Sequence, residues 1–235
     1  MNRAIDLARL RTGERPALAA AIAAAGLVCF PTDTVYGIGG VVSPATGRAI
    51  AQVKGRRADK PLQVVYPTLG LLLDGVALSP AVADAARRLL PGPFTLVVPY
   101  PDGMTFPPCG LVTWPAAGGE GDPDVGGEAA PAVVRTLGVR VPVWPSAARA
   151  LARLPFPLLA SSANTSGERD PASLPEVAPG VRAACDLLLD AGPTSGVSST
   201  VLDLSGLETG RGFRVLRPGA VGIAEIAAIL ASYEG

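Results

Sequence analysis

Phe30-Pro31-Thr32-Asp33-Thr34-Val35-Tyr36-Gly37-Ile38-Gly39-Gly40 follows directly on the apolar run 27–30. A short apolar run bounded by glycine and proline reads as a buried strand. Hydroxyls, a carboxylate and glycines at a strand end stand where an open sheet usually places a ligand. Glycines let a substrate come close to the backbone, and Thr and Tyr hydroxyls both donate and accept hydrogen bonds. A plainer reading stands beside this one: a turn whose Thr-Asp pair caps local backbone.

Outward from this stretch, apolar runs alternate with helix-like segments, as in an α/β or α+β sheet domain. Residues 16–25 read as a helix stopped by Gly26, and Ser43-Pro44 supplies an N-cap and first-turn proline for a helix towards Lys54. Ser79-Pro80 opens a second capped helix, which Pro91-Gly92-Pro93 ends. Further strands are predicted at 62–66, 94–100, 139–143, 157–160, 187–190, 200–204 and 213–216. A closing helix is predicted over 222–233, with Ile223, Ile226, Ala227 and Leu230 at helical spacing. The stretch 101–131 is rich in Gly, Pro and acidic residues and reads as a flexible surface insertion, a plain loop with a lid as the alternative. The expectation is a single domain over 1–235 that carries this insertion.

Composition narrows the chemistry. Of 235 residues, 49% are hydrophobic, enough for a real core. Basic and acidic residues number 20 each, which removes the argument for nucleic-acid binding from a strongly basic domain. Histidine is absent, so mechanisms that need an imidazole base or ligand are excluded. Cys29, Cys109 and Cys185 are far apart and odd in number, which matches neither a metal site nor a disulfide framework and fits a reducing cytosol. No stretch of 18 apolar residues occurs, and Asp6, Arg9 and Arg11 interrupt any signal-peptide layout, so a cytoplasmic protein is expected.

Two further stretches carry chemistry. Lys54-Gly55-Arg56-Arg57-Ala58-Asp59-Lys60-Pro61-Leu62 puts four cations within seven residues, which suits polyphosphate clamping. Its plainer reading is a helix C-terminus whose cations complement the macrodipole. Ser161-Ser162-Ala163-Asn164-Thr165-Ser166-Gly167 follows an apolar strand with many hydrogen-bonding groups in little volume, which suits a compact polar ligand or the phosphates and ribose of a nucleotide. An Asx or Ser/Thr turn is the alternative. Ser162 has no histidine to activate it, so a serine hydrolase is excluded. Arg140 lies in an apolar strand, where a cation either snorkels or meets an anionic ligand. Ser198-Ser199-Thr200-Val201 opens one strand, and Arg217 ends another before Pro218-Gly219.

In this order PTDTVYGIGG, KGRRADKPL, PGPFTLVVP, VRVP, SSANTSG, SSTVLDL and VLRPG resemble the YrdC-like threonylcarbamoyl-adenylate synthases. The resemblance runs from about residue 18 to 223, apart from the insertion. It implies an open, twisted α/β sheet with flanking helices and a large concave cleft, in the short form that lacks an extra C-terminal domain. It implies a nucleotidyltransferase that joins L-threonine, bicarbonate and ATP into threonylcarbamoyl-adenylate and pyrophosphate. A downstream threonylcarbamoyl-transferase complex would then modify tRNA. By motif, Lys54 and Arg56 would be catalytic. Arg56, Lys60, Thr136, Ser162, Asn164 and Arg217 would bind ATP, with Lys54 also on its phosphates. Thr32, Thr34, Arg140 and Ser199 would bind L-threonine. Mg2+ would be held mainly through the phosphates, with no protein metal site.

Arg57, Val65 and Asp170 depart from that family's usual proline, histidine and serine. Val65 bears on threonine preference, and Asp170 either sets a negative charge near phosphates or points away. Two other functions compete on sequence grounds: an RNA-binding maturation module with weak tRNA or RNA affinity, and a carbamoyl transferase that uses the same adenylate site. Arg56→Ala or Lys54→Ala is expected to lower activity far more than stability, since exposed cations add little to folding. Melting temperatures set against turnover check this.

Overall fold

The computed structural model describes residues 3–55, 62–100 and 136–231. In chain order the elements are β1 (Arg3–Asp6), α1 (Arg15–Ala24), β2 (Val28–Phe30), β3 (Gly37–Val41), α2 (Pro44–Val53) and β4 (Gln63–Val65). Next come α3 (Leu69–Gly75), α4 (Pro80–Leu89), β5 (Phe94–Pro99), β6 (Thr136–Arg140), β7 (Leu158–Ser162) and α5 (Pro179–Ala183). The series closes with β8 (Leu187–Asp190), β9 (Thr200–Asp203), β10 (Arg214–Arg217) and α6 (Ile223–Ala231). These strands make one mixed sheet in the order β1-β8-β2-β3-β7-β4-β6-β5-β9-β10. The expected α/β architecture, a central twisted sheet with flanking helices, is what the chain adopts.

Strand alternation decides which face is core and which is site. In β6, Leu137 and Val139 enter the main core, while Gly138 and Arg140 take the other face. Leu96 and Val98 in β5, Val64 in β4, Leu159 in β7 and Leu202 in β9 join the same core beneath α2, α3, α4 and α6. Thr95, Gln63, Ala160 and Val201 take the opposite face and line a cavity. A smaller core of Leu18, Ile22, Phe30, Val65, Leu151 and Leu158 seals the other side near α1.

The helix starts follow local chemistry. Ser43 accepts a hydrogen bond from Thr46 N, and Pro44 sits where a missing N–H costs nothing. Ser79 does not cap α4 as expected: its Oγ is buried without a partner, and its carbonyl accepts from Ala83 N at 2.8 Å. The strand expected over 139–143 lies earlier, at Thr136–Arg140, because Pro142 cannot donate to a ladder. The segment 101–131 and the end of the predicted closing helix lie outside the described residues.

The largest departure is β3. The glycines of GIGG are expected to let a ligand approach the backbone, yet this segment is a strand that pairs with β2 through Gly39↔Val28 and with β7 through Gly39↔Ala160. The glycines admit protein backbone here. A Cβ on Gly39 would sit 2.3 Å from the Leu159 carbonyl oxygen. Gly39→Ala must therefore push two central strands apart, and we expect a loss of at least about 2 kcal/mol, read by chemical denaturation. Melting unchanged from the parent would contradict this packing.

Candidate functional site

A cavity of about 310 Å³ opens on the polar face of the sheet. Four chain segments converge on it: Thr32 to Gly37, Lys54 at the end of α2, Ser161 to Asp170, and Ser198 with Ser199. Arg140 and Arg217, each ending a strand, add two more cations, and Asp170 is the acidic side chain among the described lining residues. The volume lies near the lower end for small-molecule sites.

Lys54 is 4% exposed. Its Nζ donates to Ser162 O at 2.5 Å, to Asn164 O at 2.7 Å and to Asn164 Oδ1 at 2.7 Å. Ser162 Oγ donates to the same Asn164 Oδ1 at 2.6 Å, and Asn164 Nδ2 donates to Glu168 O at 2.6 Å. The Ser-Ala-Asn loop is thus folded around a lysine ammonium. Lys54 terminates its helix, but its charge reaches the loop instead of the surface, contrary to the expectation of an exposed cation.

Arg140 is 2% exposed and neither snorkels nor waits for a ligand. Its Nη2 donates to Asp33 Oδ1 at 2.5 Å, to Thr34 Oγ1 at 2.6 Å and to Thr32 Oγ1 at 3.3 Å. Burial holds the guanidinium below its ordinary pKa, and the Asp33 carboxylate opposes that by favouring the cation. Thr32 also makes the local turn: its Oγ1 accepts from Thr34 N and Val35 N and donates to Val35 O at 2.7 Å. Thr32 thus caps local backbone as the plainer reading has it, Asp33 instead accepts from Val143 N, and Thr32, Val35, Tyr36 and Gly37 line the cavity. Thr34 touches Arg140 without lining the cavity itself.

A third cluster was not read from the sequence. Thr95 Oγ1 donates to Gln63 Oε1 at 2.8 Å and lies 2.9 Å from Ser199 Oγ. Arg217 Nη2 donates to Ser199 O at 3.0 Å and to its Oγ at 3.2 Å. Each hydroxyl has one proton, so Thr95's goes to Gln63 and Ser199's goes to Thr95. Ser199 Oγ then meets a ligand as an acceptor. Gln63 and Thr95 were visible as lone polar residues in apolar strands. That Gly138 of β6, with no side chain, lies in register with Gln63 and lets it reach Thr95 on β5 was not visible.

Other expected residues fall as follows. Thr136 stands on the same strand face as Arg140 but about 13 Å back along it, and does not line the cavity. Arg56 and Lys60 lie outside the described residues, as do Arg57 and Cys109. Tyr36 is engaged inside the protein, its hydroxyl 2.8 Å from Gly192 O and 3.0 Å from Asp190 Oδ1. Val65 lines the cavity in register with Arg140. Asp170 also faces it, and Ser198 Oγ donates to Asp170 Oδ2. Among the described residues no three metal-ligating side chains cluster, and no helix is long and apolar enough to cross a membrane. Cys29 and Cys185 are buried, and burial pushes the Cys185 thiol up to about 12 and Cys29 higher still.

A family model named Sua5/YciO/YrdC and described as "Telomere recombination" matches residues 20–116 and 123–219. A threonylcarbamoyl-AMP synthase of Pyrococcus abyssi is 31% identical over 211 residues, which cover 87% of this chain and 53% of that protein. One from Bacillus subtilis is 30% identical over 212 residues, with the same two shares. The chain thus spans about half the length of these curated relatives. The crystal structure of Pyrococcus abyssi Sua5 complexed with L-threonine superposes with a TM-score of 0.69 at 31% identity, covering 98% of this chain and 60% of that one.

The burial of Lys54 changes what its removal does. Lys54→Ala strands acceptors of the Ser162–Asn164 loop, so stability as well as activity falls, by roughly 1–3 kcal/mol. Denaturant titration measures it; an unchanged midpoint contradicts the buried contacts. In a Cys109→Ser background, a neutral disulfide reagent at pH 8 should leave Cys29 and Cys185 unmodified until the protein unfolds. Rapid labelling of the native protein contradicts this.

Proposed function

The chain belongs to the Sua5/YciO/YrdC family, and from that premise we propose that it is an L-threonylcarbamoyladenylate synthase. In this reading it joins L-threonine, bicarbonate and ATP into threonylcarbamoyl-AMP, pyrophosphate and water. The observation that carries the reading is the convergence of the Thr32–Gly37 stretch, Lys54, Ser162, Arg140 and Arg217 on one cavity. The names of the relatives, and the L-threonine in the Pyrococcus abyssi structure, support the choice of substrate.

A free amino acid's amine titrates at about 8 or above, so a small neutral fraction is present to attack bicarbonate and form a carbamate with loss of water. A carbamate oxygen then attacks the α-phosphorus, the bond to the bridging oxygen breaks, and pyrophosphate leaves. The chain supplies no side-chain nucleophile to this scheme. It supplies position and positive charge. Thr32, Thr34, Arg140 and Ser199 hold threonine, with Ser199 accepting from a donor group of the substrate. Ser162, Asn164 and Arg217 hold ATP together with Arg56, Lys60 and Thr136. Lys54 and Arg56 stabilise charge at the reacting phosphate, Lys54 partly by fixing the loop that bears Ser162. Magnesium arrives on the phosphates as part of the substrate. A cytoplasmic setting, a single domain over 1–235 and a downstream complex that passes the threonylcarbamoyl group to tRNA belong to the same proposal.

Purified protein with L-threonine, bicarbonate, ATP and magnesium should release pyrophosphate and yield a product with the mass of threonylcarbamoyl-AMP. Pyrophosphate release that needs neither threonine nor bicarbonate refutes the proposal. Arg217→Ala should raise the KM for ATP by roughly 10–100-fold, the cost of one charge-assisted contact. Running threonine and serine side by side reads the preference set by Val65.

A further inference from the structure

Asp33 is absent from the residues expected to touch either substrate, yet among the described residues it is the carboxylate in contact with the most deeply buried guanidinium of the site. Its Oδ1 takes Arg140 Nη2 at 2.5 Å, and its Oδ2 accepts from Val143 N at 3.2 Å. Asp33 therefore ties the β2–β3 turn to the segment that follows β6, with Arg140 clamped between them. Its side chain is 13% exposed against 2% for Arg140, so water contributes little to holding either charge.

The proton count on the guanidinium gives this contact a consequence. Nη2 has two protons, and the two short bonds, to Asp33 and to Thr34 Oγ1 at 2.6 Å, use both. Nε is buried with no partner. Nε thus has no open surface, so a ligand carboxylate can take Arg140 only through Nη1. It cannot form the two-point fork that includes Nη2 without displacing Asp33 or Thr34. Which edge of the guanidinium is open is thus set by Asp33, not by Arg140 alone.

We propose that Asp33 is a positioning residue for amino-acid binding: it holds Arg140 as an oriented cation and fixes which of its N–H groups meets the substrate carboxylate. The inference rests on the synthase reading of the cavity. Its effect is selective, because Arg140 is assigned to the amino acid and not to ATP. A contact that only stabilised the fold would affect both substrates together.

The test compares Asp33→Ala, Arg140→Met and the double variant for pyrophosphate release, with separate titrations of threonine and ATP. Asp33→Ala should raise the KM for threonine at least tenfold and change that for ATP less than threefold. Asp33→Asn, which retains an acceptor without the charge, should fall between parent and Asp33→Ala. In the Arg140→Met background, adding Asp33→Ala should change the threonine KM less than twofold, since nothing remains to position. Equal changes for both substrates, or a full Asp33 effect without Arg140, overturn the inference while leaving the synthase reading intact. Should Asp33→Ala misfold through its unpaired buried cation, a double variant that folds and behaves as Arg140→Met supports the pairing. One that stays misfolded overturns it. Parent protein with no threonine-dependent release overturns both readings.

Discussion

A charge carried onto a buried sheet face has to be satisfied there, and the rest of this site follows from that constraint. Lys54 and Arg140 each keep less than a twentieth of their surface in contact with solvent. A lone buried cation is costly, so each must draw partners from elsewhere in the chain. Lys54 draws three oxygens from a loop more than a hundred residues away. Arg140 draws a carboxylate and hydroxyls from the turn between β2 and β3. Both loops are tied to the sheet by the charges they neutralise or solvate.

The two cations are satisfied differently. Lys54 has two backbone carbonyls and an amide oxygen among its partners, which solvate the ammonium. Arg140 has a full carboxylate at 2.5 Å, which leaves a nearly neutral pair. Among the described residues, Arg217 contacts the serine carbonyl and hydroxyl at position 199, both of them neutral groups. Arg140 therefore offers direction more than net charge.

The sheet makes this possible by giving its two faces different work. One face is closed by aliphatic side chains beneath four helices. The other carries Gln63, Thr95, Arg140 and Val201 at alternate positions of neighbouring strands. Glycine serves both. Gly39 lets β3 lie close against β7, and Gly138 lies in register with Gln63 and leaves room for its side chain to reach Thr95.

The sequence by itself determined the architecture's class, most helices and strands, and the segments that build the site. Helical spacing, Ser-Pro starts and proline stops are local signals, and local steric and capping chemistry acts wherever the chain goes. It also excluded imidazole chemistry outright, because a missing residue type is missing from every fold. Tertiary structure alone decided the rest. GIGGV became a strand and not a loop because β2 and β7 flank it, and RAID at positions 3–6 became an edge strand because β8 lies beside it. Lys54 and Arg140 are buried cations with protein partners for the same reason. Their partners lie 106 to 110 residues away along the chain, and hydrogen bonding depends on distance in space, which spacing along a sequence does not specify.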